Sequence, residues 1–365
     1  MDGRPNGSAT EMMKRHRLCF VGPMVGRHPG YVMTQGEILA DHFASAGYPT
    51  ISVSASPNRY TRLCEIITTL LRERSAVDVQ CLQVFGGPSF VVEDIASWLG
   101  KLFGQRLVMV LRGGAMPDFV ARYPAWSRRV LGRAHALVAP SPFLAQALAR
   151  YGFDVRVIPN VLDISAYPYR HRRVLAPRFF WMRAFHPVYN PEMAVRVVAR
   201  VKRTFPRASL VIAGQDKGMQ VGVRRLTQEL GLNGAARFPG FLDMKAKVRE
   251  GNSADIFLNT NHIDNMPVSV IEACAMGLPV VATNVGGIPN LLTDGETALL
   301  VPDDDDEAMA SAVTRLLQDP ELAGRLSANG RKLAESFSWE QLHPQWEKLF
   351  SKLMAPSGRT AEESN

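Results

Sequence analysis

Two carboxylates, Asp264 and Glu272, stand eight positions apart in "HIDNMPVSVIEACAMGLPVVATNVGGIPN", residues 262–290. Residue type alone allows three kinds of chemistry: an acid/base pair, a metal site, or the two ends of a loop that holds a ligand. Pro267 suits the first turn of a helix that Gly277 would close. A helix start offers unpaired N–H groups and a positive dipole end, which suit an anion such as a phosphate. Glu272 falls more than one turn into that helix, beside Val270, Ile271, Ala273 and Cys274. A carboxylate in such company requires partners, because burying it unpaired is costly. The paired hydroxyls of a ribose would serve, and so would a neighbouring Arg or a backbone group. Asp264 reads either as a ligand-facing group or as a loop Asp making a local turn bond.

Other residues fit the same chemistry. Arg183, at the end of the strand-like "RFFWMRAF", can grip a pyrophosphate bidentately and stabilise a leaving group, or pair with a surface Asp. Arg112 ends "RLVMVLRGG" and is followed by Gly113 and Gly114. In "GPMVGRHPGYVMTQG" Gly22, Gly26 and Gly30 precede a helix without the GxGxxG spacing, so the stretch reads as a ligand-facing loop and not a dinucleotide fingerprint. Adjacent Gly286 and Gly287 allow close approach of a ligand or a tight turn. Asp303 to Asp306 lie between a strand and a helix, where Asp caps and first-turn charges are favoured, so a helix start is preferred over a metal site. Between Lys101 and Arg133 stand seven basic residues and one acidic, with aromatic residues interleaved in "FVARYPAWSRRVLGRA". A solvated basic helix and a surface for anionic lipid headgroups are the two readings; no nucleic-acid module is visible.

These groups need elements to hold them. Short apolar runs alternate with amphipathic ones: "RLCFVG", "TISVSA", "VDVQCLQVFG", "RLVMVLRGG", "HALVAPS" and "VRVIPN", then "RFFWMRAF", "ASLVIAG", "ARFPGF", "DIFLNTN", "LPVVATN" and "TALLVP". Such alternation predicts an α/β fold with parallel sheets covered on both faces, and two series predict two doubly wound, Rossmann-like domains. At 365 residues the chain exceeds the size of one hydrophobic core. The join is expected near "NVLDISAYPYRHRRVLAPRFF", dividing the chain into 1–170 and 171–338. Residues 339–365 form a last helix, which packs back on the first domain, and a frayed tail. Ligands of open parallel sheets bind beyond the carboxyl ends of the strands, so a cleft between the two sheets would draw on both halves.

Composition limits the setting. The net charge of +8 is concentrated in residues 1–170, with 19 Lys plus Arg against 12 Asp plus Glu; the remainder has 23 against 22. The first half is therefore expected to meet any anionic partner. No apolar run reaches membrane-span length and no signal peptide is visible, so the chain reads as cytoplasmic, with peripheral membrane contact left open. Cys19, Cys64, Cys81 and Cys274 lack metal or disulfide spacing and are expected to be buried thiols.

The stretch "DNMPVSVIEACAMGLPVVATNVGGIPNLLTDGETALLVPDDD", with "ESFSWEQLHPQWEKLF", resembles the donor-binding half of the retaining GT-B glycosyltransferases of family four. "HFASAGYPTISVSA" and "VAPSPFLAQALARYGFDVRVIPNVLD" resemble their acceptor-side domain more loosely. The family's E-x7-E motif falls on Asp264 and Glu272. The resemblance implies that Glu272 binds the ribose of a nucleotide sugar, and that Asp264, Asn265, Met266, Pro267 and Val268 face its sugar and diphosphate. It further implies that Arg183 holds the diphosphate and that Gly240 and Phe241 of "FPGFLD" flank the base. Gly26, Gly30, Gly113 and Gly114 would then line acceptor or phosphate loops.

The implied donor is a UDP- or GDP-sugar, and the implied acceptor a glycan, a lipid-linked compound or a small molecule. No metal or other cofactor is implied, because the leaving phosphate deprotonates the acceptor on the same face. Departures are visible: Asp264 stands for Glu, "HPVYN" replaces a Lys expected after Arg183, Arg112 replaces a His, and Asn290 replaces a Glu. The nearest candidate lysine, Lys217 in "AGQDKG", comes from another strand end, and Arg112 could offset the lost charge by reaching the diphosphate across the cleft. Two rival readings are a sugar-nucleotide epimerase of the same fold and a silent nucleotide-sugar-binding subunit.

Overall fold

The computed structural model of the chain describes residues 16–355, so the expected fraying of the two ends lies outside the described residues. The first half contributes β1 (Leu18–Val21), β2 (Thr50–Val53), β3 (Val79–Val84), β4 (Arg106–Leu111), β5 (Ala136–Ala139) and β6 (Val155–Val157). These pair in the order β2-β1-β3-β4-β5-β6, all parallel. The second half contributes β7 (Arg178–Met182), β8 (Ser209–Ala213), β9 (Ala236–Gly240), β10 (Ile256–Asn259), β11 (Val280–Thr283) and β12 (Leu299–Val301). Their order is β12-β11-β10-β7-β8-β9, again parallel. Each of the twelve apolar runs read from the sequence supplies one strand.

The strands are apolar throughout because helices cover both faces of each sheet. Successive strand residues point to opposite faces, and β1 divides accordingly. Cys19 and Val21 join one buried cluster, while Leu18 and Phe20 join another. In β7, Phe179 and Trp181 face one core and Phe180 the other.

Strand order reverses between β1 and β3 in the first sheet and between β10 and β7 in the second. Those are the switch points at which open α/β sheets present a crevice beyond the strand ends. Gly22 and Phe85 leave the first point; Arg183 and the 260–265 loop leave the second.

Three further features position the site. Arg172, in the aperiodic join, is fully buried and donates to the carbonyls of Gly251, Ala254, Met276 and Arg170, which pins that segment to the second half. The helix Trp339–Met354 buries Leu342, Trp346, Leu349 and Phe350 in the same cluster as Leu18, Phe20 and Phe43 of the first half. Four such side chains are worth roughly 6–12 kcal/mol of gross burial, enough to make this helix integral to the first half. Thr34 and Glu37 form a reciprocal capping box on the helix Gln35–Ser45, which fixes where the preceding glycine loop ends.

Two expectations are corrected. Cys19, Cys81 and Cys274 are buried, but Cys64 is exposed. It lies two positions before buried Ile66 on the helix Arg59–Arg72, about 200° round the axis and so on the solvent side. Pro267 lies just before the helix Val268–Ala275 and not within its first turn. Of the acidic run, Asp305 caps the helix Asp306–Gln318, while Asp304 and Asp306 pair with Arg196, and Asp306 also with Arg200. Among the described residues no helix is long and apolar enough to cross a membrane.

Candidate functional site

Arg183 follows β7, its N–H bonded to Ala213 O at 3.1 Å. Gly214 stands against it: a Cβ there would strike the Arg183 carbonyl, and its φ of +149° is one that only glycine adopts readily. The guanidinium lies 4.2 Å from the centre of the Tyr189 ring, pairs through Nη2 with Asp264 Oδ2, and leaves Nε buried without a partner. Asp264 Oδ2 also accepts from Asn261 Nδ2 at 2.8 Å. Burial lifts the Asp264 carboxyl above the usual carboxylate range, against the opposing pull of Arg183 and of the Asn265 and Met266 amides.

The glycine pair after β11 serves as the seat of this loop. Gly287 N donates to Asp264 O at 2.7 Å. A Cβ on Gly286 would collide with Asp264 O, and one on Gly287 with Asn265 O. Asn265 Oδ1 accepts from Ser141 Oγ of the first half, and Gly114 approaches the Asn265 amide, so this loop also joins the two halves.

Glu272, 6% exposed, accepts on Oε1 from Tyr167 Oη at 2.8 Å and from Lys247 Nζ at 2.5 Å. Among the described residues no donor reaches Oε2. Two adjoining cavities meet here. One, of about 450 Å³, brings together Arg112, Gly113, Gly114, Arg183, Asp264, Asn265, Met266 and Val268. The other, of about 290 Å³, brings Phe241, Lys247 and Glu272 to Arg183 and Val268. Arg183, Tyr189, Val268 and Val32 line both, so they form one cleft between the halves, of the size small-molecule sites have.

Arg112 faces Arg183 across that cleft. Its Nε donates to Gln83 Oε1 at 2.7 Å and its Nη1 to Asn160 Oδ1 at 2.6 Å, while Nη2 is buried and unpartnered. Burial lowers its pKa to about 9, which leaves it cationic at neutral pH. Two guanidinium groups against one carboxylate give these walls a positive balance suited to an anion.

Several expected residues lie elsewhere. Gly26 does not line the cleft: its N–H is held by the Glu37 carboxylate at 2.9 Å, and Met33 fills the space beside it. Gly30 also stands outside it, offering its carbonyl to Gln215 Nε2 of the second half. Gly240 accepts from Gly214 N at 2.9 Å and supports the β8 end, leaving the cavity wall to Phe241. Lys217 is exposed and lines neither cavity; the lysine in the site is Lys247. Sequence reasoning missed Lys247 and Tyr167, for which the apolar surroundings of Glu272 were the sole signal.

Comparison with known proteins agrees with this geometry. Residues 176–333 match the family model of group 1 glycosyl transferases, and residues 40–166 that of glycosyltransferase family 4. The chain belongs to that glycosyltransferase family and has its GT-B fold of two facing parallel sheets. A D-inositol 3-phosphate glycosyltransferase of Saccharomonospora viridis is 31% identical over 185 residues, 48% of this chain and 43% of that relative. A glycogen synthase of Mycobacterium tuberculosis is 26% identical over 196 residues, 51% of this chain and 46% of that relative. The matched stretch thus spans less than half the length of these curated relatives.

Among solved structures, the sucrose-phosphate synthase of Thermosynechococcus elongatus superposes with a TM-score of 0.76 at 19% identity, covering 93% of this chain and 100% of that one. Anabaena HepE in complex with UDP and glucose gives 0.72 at 15% identity, with the same coverage.

Proposed function

We propose that the chain transfers a sugar from a nucleoside diphosphate sugar to a hydroxyl acceptor, with retention of anomeric configuration and without a metal ion. The observation that carries this reading is Glu272 Oε2, a carboxylate oxygen without a protein donor, in a cleft shared with a cation and a helix start. A ribose diol supplies the two donors that oxygen lacks. The diphosphate then falls between Arg183 Nε, Arg112 Nη2 and the open amides of Val268 and Ser269, and Phe241 flanks the base. Asp264 sits where the transferred sugar arrives, and the leaving phosphate takes the acceptor proton on the same face. UDP is the favoured nucleotide, since solved relatives of this fold hold it, with GDP the alternative.

In this reading residues 1–170 serve the acceptor and 171–338 the donor, with 339–365 returning to the first half. The reaction takes place in the cytoplasm. The helix Phe90–Leu102 exposes Val91, Trp98 and Leu102 along one face, beside Lys101, which supports contact with an anionic membrane. Trp98 fluorescence titrated with phosphatidylglycerol vesicles tests that contact, and an unchanged spectrum rejects it.

The reading as a whole is tested by titrating UDP-, GDP-, ADP- and TDP-sugars into the wild type and Glu272→Ala. Loss of one donor's binding in the variant is expected, and equal binding by both proteins would remove the ribose role. Transfer without an acceptor, giving an epimerised donor, would favour the epimerase alternative. Binding with no turnover over a broad acceptor panel would favour a silent subunit.

A further inference from the structure

Beyond the donor groups, the first half keeps two more buried polar side chains with unused atoms beside the cleft: Gln83 on β3 and Glu93 on the helix Phe90–Leu102, each 4% exposed. Gln83 spends Oε1 on Arg112, while Nε2 is buried without a partner. Gly22 and Gly36 pack against the stem of this side chain; a Cβ on either would lie 2.8 Å from a Gln83 carbon. Glu93 accepts from Phe85 N on Oε1 at 3.1 Å, and its Oε2 is likewise buried and unpartnered.

Both side chains line a recess of about 60 Å³ whose other walls include Val21, Ile66, Leu82 and Val92. Gln83, Phe85 and Pro23 line this recess and the interdomain cavity alike, so the recess is a side pocket of the cleft on its first-half wall. A buried polar atom left without a hydrogen bond is costly, so two at one small space ask for an occupant. The space is too small for a sugar ring and sufficient for one carbon and its hydroxyl. Arg62 and Ser89 also line the recess, but Arg62 spends Nε on Ser56 O and Nη2 on Pro57 O, so the mostly apolar walls oppose a charged arm. The same burial pushes the Glu93 carboxyl up to about 8, so at neutral pH it is protonated and can both donate and accept, as a hydroxyl requires.

We propose that this recess seats an uncharged hydroxymethyl arm of the acceptor, its oxygen accepting from Gln83 Nε2 and sharing a hydrogen bond with Glu93 Oε2. The assignment rests on the glycosyltransfer reading, with Gln83 and Glu93 as specificity-determining residues on the acceptor side.

The test uses the full chain labelled with side-chain 15N glutamine and glycerol as the hydroxymethyl probe, with and without UDP; Gln83→Leu identifies the Gln83 signal. Glycerol should shift that signal saturably. Glu93→Gln should retain the affinity within about twofold, because an amide still bonds a hydroxyl. Glu93→Leu, and separately Val92→Phe, should abolish the shift by closing the recess, while UDP binds each variant as it binds the wild type. No saturable shift in the wild type overturns the proposal, and so does an equal shift in the closed variants, which would mark glycerol as an adventitious additive only. Failure of UDP to bind any of these proteins, with the glycerol result intact, would count against the donor reading instead.

Discussion

Lys247→Met tests how the ribose-binding carboxylate is held. Lys247 Nζ stands 2.5 Å from Glu272 Oε1, with the two side chains 11% and 8% exposed. Removing the cation leaves the carboxylate with Tyr167 as its one protein donor. Breaking a buried pair from one side costs about 3–5 kcal/mol, and water from the adjoining cavity holds the figure to the lower end, about 3. At about 2–4 °C per kcal/mol for a domain of this size, the melting temperature should fall by about 6–12 °C.

UDP affinity should fall about tenfold, or about 1.4 kcal/mol, as Glu272 loses its fixed orientation. The double variant Lys247→Met/Glu272→Gln carries no stranded charge, so it should melt near the wild type while its UDP affinity stays about tenfold weaker, because the amide is not held in place by Lys247. Calorimetric melting and UDP titration on the four proteins close a double-mutant cycle with a coupling of about 2 kcal/mol or more. A single variant that melts with the wild type, or a double variant whose loss equals the sum of the singles, would refute the account.

Arg112→Ala should weaken UDP binding about as much as Arg183→Ala, roughly tenfold each, since both guanidinium groups line one cavity and each keeps one nitrogen without a protein partner; an unchanged dissociation constant for Arg112→Ala rejects the cross-cleft role. Gly287→Ala should lose about 2 kcal/mol of stability together with donor binding, because the new Cβ meets Asn265 O and displaces the Asp264 loop. Melting and UDP titration check it, and a variant matching the wild type in both dismisses the seat.

Glu93 has a folded pKa raised from 4.5 to about 8, so the folded state holds the proton more tightly than the unfolded chain. Its contribution is complete below about 4.5 and is lost as pH rises towards 8. Glu93→Gln should flatten that decline, and denaturant melts over the window that run parallel for both proteins contradict it.

How much of this was legible in the sequence depends on the range of the interaction. The strands are continuous apolar runs, a property of neighbouring residues, and were therefore readable. Glu272 stood out because its neighbours are apolar, which demanded partners without naming them. Lys247 could not be found in that way: in "DMKAKVREG" it looks like any charged residue of a solvated helix, and only tertiary packing turns it inward to Glu272. The same limit left the reading of the glycines open. Gly286, Gly287 and Gly26 do permit close approach, but what approaches is another loop or Glu37, contacts set by distant segments. Cys64 was misjudged because composition along a stretch does not fix which side of the helix a residue occupies.

The docking of the final helix on the first sheet has a mechanical consequence. The chain crosses between the halves twice, once through the segment pinned by Arg172 and again before Trp339. With two covalent straps in place of one, the cleft opens by flexing along the line joining them, and twisting about either is restrained. The same arrangement means that the first half draws on segments from both sides of the second half in the chain. A fragment cut before Trp339 would lack the cover over Phe20 and Phe43, however complete its own six strands.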